Sequence, residues 1–148
     1  MAEDTYSFIK VPEEYYYEFY SEGPKGSVKK IVSYRLIQEI PIKLYNLGFG
    51  DWDTKIQDVD DKVNTNNQDR QKVLATVAET ILDFLKNQPN ASVFAKGSTL
   101  SRTRLYQINI LAYYEEIIKK SLNIYGYANE EWKEFEKGIN FEAFILKK

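Results

Sequence analysis

Tyr15-Tyr-Tyr-Glu-Phe-Tyr-Ser-Glu-Gly-Pro-Lys-Gly-Ser-Val-Lys-Lys-Ile-Val-Ser-Tyr-Arg-Leu-Ile37 is the stretch whose reading decides the fold. Tyr15, Tyr17 and Phe19 alternate with Tyr16, Glu18 and Tyr20, the period of a half-buried strand. Val28, Lys30, Val32, Tyr34 and Leu36 alternate in the same way with Lys29, Ile31, Ser33, Arg35 and Ile37. Between the two runs, Gly23 and Gly26 allow positive φ and Pro24 presets its own φ, which predicts a turn over Ser21–Ser27 and hence a hairpin.

Working outward, Leu44–Gly50 follows Pro41 as a third strand, with Tyr45, Leu47 and Phe49 on one face. Gly48 and Gly50 mark a bulge or strand end there. Asp51–Asn67 is a polar connection. Val73, Val77, Ile81 and Leu85 then recur at helical spacing and predict a helix over Asp69–Lys86, capped by Asn66 or Asn67 and stopped by Asn87-Gln-Pro89. Ala91–Ala95 is a short strand. Gly97-Ser98-Thr99 turns the chain into a second helix over Leu100–Leu122. Asn123–Tyr127 and Asn140–Leu146 read as strands, with Glu130–Lys137 a helical turn between them. The order β-β-β-α-β-α-β-β predicts a single α+β domain over residues 1–148, two helices packed on one face of a mainly antiparallel sheet.

Composition narrows the chemistry. The 148 residues are 43% hydrophobic and 28% charged, enough to bury a core without staples. Lys+Arg 20 against Asp+Glu 22 leaves a net charge of −2, so no whole-chain basic field points to nucleic acid. Cysteine and histidine are both absent. Disulfide frameworks, zinc fingers, Fe–S clusters, cysteine nucleophiles and histidine-based triads are therefore excluded. The acidic start Met1-Ala-Glu-Asp4 lacks the features of a secretory signal, and no apolar run is long enough to span a bilayer. A cytoplasmic protein with no membrane partner, no metal and no cofactor is the expectation.

The candidate chemistry lies in Phe94-Ala-Lys-Gly-Ser-Thr-Leu-Ser-Arg-Thr-Arg-Leu-Tyr106. No Asp or Glu occurs between Phe84 and Tyr114, whereas Lys86, Lys96, Arg102 and Arg104 are cationic. A turn from strand into helix leaves N–H groups at the helix start, where anions are favoured. Lys96, Gly97, Ser98, Thr99, Arg102, Arg104 and Tyr106 are thus the candidate anion-binding residues, with Thr99 as helix cap. The ligand would be a phosphate, a nucleotide or a nucleic-acid backbone. The segment is neither a Walker A loop nor a dinucleotide fingerprint, because Lys96 precedes a single glycine. The helical wheel sets Arg102 on the polar stripe, exposed. It sets Arg104 beside Leu111, Ile118 and Leu122, partly buried and in need of a partner.

The same segment resembles the signature of a family of small bacterial proteins of unknown function, in which a Gly-Ser-Thr turn leads into Arg-Thr-Arg-Leu-Tyr. The resemblance runs from Lys30 through Tyr45-Asn-Leu-Gly-Phe-Gly-Asp51 and Lys72-Val-Leu-Ala-Thr-Val77 to Phe141-Glu-Ala-Phe144. The family's typical member carries Pro at the position of Leu100, which suits the first residue of a helix capped by Thr99. The resemblance implies the fold and brings no activity, substrate or catalytic residue with it.

Other constellations are bland. Asp51, Asp53, Asp58, Asp60 and Asp61 crowd one connection, but Lys55 breaks the spacing of a calcium loop. Glu13, Glu14, Glu18, Asp51 and Asp53 could supply a carboxylate pair, yet spacing names none. The 12 tyrosines read as cross-strand and core packing rather than as a base-stacking platform, which needs a basic groove beside it. The leading reading is a non-catalytic binding or regulatory module for an anion. The alternative is a protein-interaction component of a toxin–antitoxin or defence operon with a small protein partner. An enzyme using Lys96 or Tyr106 as acid or base, with Arg102 as oxyanion clamp, ranks last.

Overall fold

The computed structural model describes residues 5–11, 16–53, 58–60, 69–97, 99–119 and 122–148. Tyr15, Glu13, Glu14, Asp61, Asn66, Asn67 and Ser98 lie outside the described residues, as do the side chains of 51–53, 58–60, 109 and 116–118.

The strands are β1 (Ile9–Val11), β2 (Tyr16–Gly23), β3 (Gly26–Gln38), β4 (Lys43–Asp53), β5 (Asp58–Asp60), β6 (Ala91–Ala95), β7 (Asn123–Ala128), β8 (Glu131–Glu134) and β9 (Ala143–Lys147). The helices are α1 (Arg70–Asn87), α2 (Leu100–Ala112) and α3 (Tyr114–Lys119). The architecture is α+β. Among the described residues the strands form one sheet in the order β1-β2-β3-β4-β6-β9-β7-β8, with β5 pairing on β4. Every pairing is antiparallel except β4 with β6, whose ends are joined through β5 and α1.

The predicted hairpin is β2–β3, registered Tyr17↔Val32 and Phe19↔Lys30 and closed at Gly23↔Gly26. Gly26 takes the positive φ of 87° that its turn demands. Register then propagates one face across the sheet. Tyr17, Phe19, Val32, Tyr34, Tyr45, Leu47, Val93, Phe144, Leu146 and Ile124 are all buried on that side. Against them α1 lays Val73, Val77, Ile81, Phe84 and Leu85. The tyrosines here are packing groups. Tyr34 stacks on Phe84 with centroids 4.2 Å apart, Tyr45 meets the same ring edge-on at 5.0 Å, and the Tyr34 hydroxyl lies 2.9 Å from Thr80 Oγ1.

Several boundaries differ from the sequence reading: β4 runs on to Asp53 and pairs with β5 within the stretch read as a polar connection, and four others follow. Asp69 occupies the cap position of α1, but its carboxylate accepts hydrogen bonds from the Tyr6 and Ser21 hydroxyls rather than from its own helix. The helix end is thereby tied to β2 and to the segment before β1. β1, too short to show a period, pairs with β2 at the sheet edge, with Lys10 bound to Asp83 of α1 at 2.9 Å. The second predicted helix is broken at Tyr113 into α2 and α3. Glu131–Glu134 is a strand, β8, and not a helical turn. Asn129 and Glu130 hold φ of 54° and 64°, the double positive φ of a type I′ turn, and fold it back on β7.

Candidate functional site

The predicted anion segment begins where β6 ends. Thr99 caps α2 through its side chain, accepting the Arg102 N–H at 3.2 Å on Oγ1. The Thr99 carbonyl accepts the Thr103 N–H at 3.1 Å and the Thr103 hydroxyl at 3.1 Å. The Gly97 N–H in turn donates to Thr103 Oγ1 at 3.0 Å. Thr103 is fully buried, so these bonds staple the turn onto the first turn of the helix. Gly97 is required there: a Cβ would lie 2.5 Å from both Arg102 Cβ and the Thr103 nitrogen. That contact explains why Arg102 is half-buried rather than exposed, as the wheel had it.

Arg104 leaves the segment altogether. Two residues apart on a helix means about 200° of rotation, so Arg102 and Arg104 project from opposite flanks of α2. The Arg104 guanidinium is half-buried and donates to the Phe141 carbonyl at 3.1 Å. One turn on, the buried Gln107 amide donates to the Ile139 carbonyl at 2.6 Å and accepts the Phe141 N–H at 3.1 Å. Arg104 and Gln107 together hold α2 to the segment that leads into β9. Burying a fully satisfied amide is inexpensive, whereas leaving those backbone groups unpaired is not. Tyr106 is half-buried against the core, and Lys96 is exposed. The structure thus brings Gly97, Thr99, Arg102 and Thr103 together and sends Arg104 elsewhere.

The face of α2 turned inward is Thr103, Gln107 and Ile110, so the apolar sector assigned to Leu111 is rotated outward and Leu111 is exposed. The wheel placed Arg104 correctly as partly buried with a partner, and misplaced Arg102 and Leu111 because Thr103 and Gln107 share the buried face with Ile110.

A second region carries the larger anomaly. β3 and β4 join through Glu39–Ile42, and Leu36, Ile37, Ile40 and Ile42 around that turn are all exposed, Ile37 by 53% and Ile40 by 84%. The tip is ordered by a shift of register between Leu36 and Gln38 and by Gln38 Nε2 donating to the Ile42 carbonyl at 3.0 Å. Arg35, exposed, and Lys43, half-buried, flank it. Single exposed aliphatics are ordinary, but contiguous apolar patches of roughly a few hundred Å² mark interaction surfaces. The signal in the sequence was Ile40-Pro-Ile42: an apolar run where a connection should be polar.

Residues 2–148 match the Family of unknown function (DUF6934), and the chain belongs to that family. No curated protein and no solved structure matches it. Among the described residues no helix is long and apolar enough to cross a membrane.

Proposed function

We propose that this member of the family is a non-catalytic, cytoplasmic interaction module that inserts its β3–β4 tip into an apolar cleft of a protein partner. The observation that carries the reading is the exposure of four aliphatic side chains within seven residues of an ordered hairpin end. Leaving them in water costs about 25 cal/mol for every Å² that a partner could cover. Arg35 and Lys43 beside the tip call for a cleft with a carboxylate rim. By analogy with other short single-domain chains, the partner is a small protein encoded beside it, as in a toxin–antitoxin or defence operon. Purification at native expression level tests this. The wild-type chain should bring down one stoichiometric partner, and Ile40→Asp should release it with thermal stability unchanged. Retention of the partner by Ile40→Asp would refute the tip as the interface.

A second reading is favoured by the absence of carboxylates between Phe84 and Tyr114: an anion at the start of α2, held by Lys96, Ser98, Thr99 and Arg102. Phosphate, sulfate or nucleotide would then raise the melting temperature at low salt, and Arg102→Ala would abolish the rise. A melting temperature that millimolar anion leaves unmoved would dispose of this reading and leave the first intact.

A further inference from the structure

We propose that the face of the sheet opposite the core binds a neutral sugar ring in an aromatic cradle formed by Phe94, Tyr127 and Trp132. The registers place these residues opposite the core. Phe94 pairs with Ile145, Ile145 with Tyr125, and Tyr127 with both Ala143 and Trp132, while their strand neighbours Val93, Phe144, Leu146 and Ile124 face the helices.

Trp132 stands on the edge strand β8 and Phe94 on β6, with β7 and β9 between them. Their ring centroids are nevertheless 6.2 Å apart, and the indole lies 5.3 Å from Tyr127. The indole therefore reaches inward over the sheet, and Ala143 beneath that path is buried although among the described residues no helix covers this side. Trp132 still remains 42% exposed. Phe94 and Tyr127 are inclined to it by 68° and 56°, so they border the indole as tilted walls rather than stacking on it. Two rings that brace one indole present an apolar surface at little entropic cost, the property that suits aromatics to recognition.

The rim chooses the ligand. Along the row through Phe94, Asn46 and then Arg35 lie on one side and Glu134 at the far edge, while Lys147 Nζ sits 5.7 Å from the Tyr125 centroid. Lys29 on the same face is paired with Glu18 at 3.3 Å. Glu18, Glu22 and Glu134 offset Lys29, Arg35 and Lys147 on the strands of this face, so it lacks the basic groove that single-stranded nucleic acid requires. A pyranose offers what remains complementary: an apolar C–H face for the indole and hydroxyl edges for amide, carboxylate and ammonium groups.

The test uses Trp52→Phe, which leaves Trp132 as the only indole, with calorimetry on the wild-type chain as the parallel measurement. Both are titrated with cellohexaose, maltohexaose and chitohexaose, and with the oligonucleotide dT10. The expected result is a saturable shift of Trp132 emission and matching heat with at least one hexaose. Phe94→Ala and Tyr127→Ala should each weaken that binding at least tenfold, and Ile40→Asp should leave it unchanged. Silence toward all three hexaoses at 10 mM, a response to dT10 alone, or sugar binding undiminished in both alanine variants would each overturn the proposal.

Discussion

Gly97 shows how a residue with no side chain fixes a site. Its N–H is spent on Thr103 and its missing Cβ admits Arg102, so the strand-to-helix turn can close on itself. Gly97→Ala must push the helix start away from backbone atoms, and the expected loss is about 1–3 kcal/mol in urea denaturation. Arg104→Ala removes a charged donor from the Phe141 carbonyl; because the guanidinium is only half-buried, about 1–2 kcal/mol is expected. Arg102→Ala keeps the Cβ that packs on Gly97 and should cost about 0.5 kcal/mol or less. Equal losses at Arg102 and Arg104 would contradict the division of labour between them. The cap at Thr99 was legible from residue type, since a hydroxyl before an apolar-periodic run has few other uses. The acceptor of Arg104 was not. It is a main-chain carbonyl 37 residues away, and a backbone partner leaves no mark in a sequence.

At the scale of elements, the β2–β3 hairpin could be read from its alternation and glycines, and the β7–β8 hairpin could not. Its turn uses Asn129-Glu130 where Asn-Gly is the usual signal, and Glu130 carries a positive φ of 64°. Glu130→Gly should relieve that cost and stabilise the fold by about 1 kcal/mol; a loss of stability would mean that Glu130 makes a compensating contact. The contact between α1 and the sheet predicts a pH profile. Burial raises the Asp83 carboxyl, but hydrogen bonds from Lys10 and Tyr17 outweigh it and hold it below its ordinary value. That contribution is present above the ordinary carboxylate range and is lost as pH falls through the folded value. Burial, reinforced for Tyr17 by the bond to Asp83, holds Tyr17 and Tyr34 above the ordinary tyrosine value. Their contribution is complete below about pH 10 and is lost as pH rises beyond it. Urea denaturation should therefore show a plateau falling on both sides, and Tyr34→Phe should flatten the alkaline limb. An alkaline limb unchanged in Tyr34→Phe would remove Tyr34 as its source.

Across the whole molecule, large aliphatics are exposed at Ile9, on α2 at Leu100, Ile108 and Leu111, and most densely in sequence at the β3–β4 tip. The sheet edges are guarded: β1 is three residues long and carries Lys10, and β8 alternates Glu131, Lys133 and Glu134 around Trp132. Such edges resist strand addition. The aliphatic tip of β3–β4 gathers four exposed side chains within seven residues, which is why the proposed partner is placed there. The fold class was legible because the first half alternates and α1 is strongly periodic. The tip escaped notice because Leu36 and Ile37 continue a strand pattern; only the structure shows that both are exposed. A photo-crosslinking residue placed at position 40, with position 71 at the start of α1 as control, tests the interaction reading most directly in the native host. One discrete protein adduct is expected at position 40, absent at 71 and abolished when Ile37→Asp is added, with the adducted protein rebinding the purified wild-type chain. An adduct at position 71 and none at 40, or adducts equal at both, would contradict it.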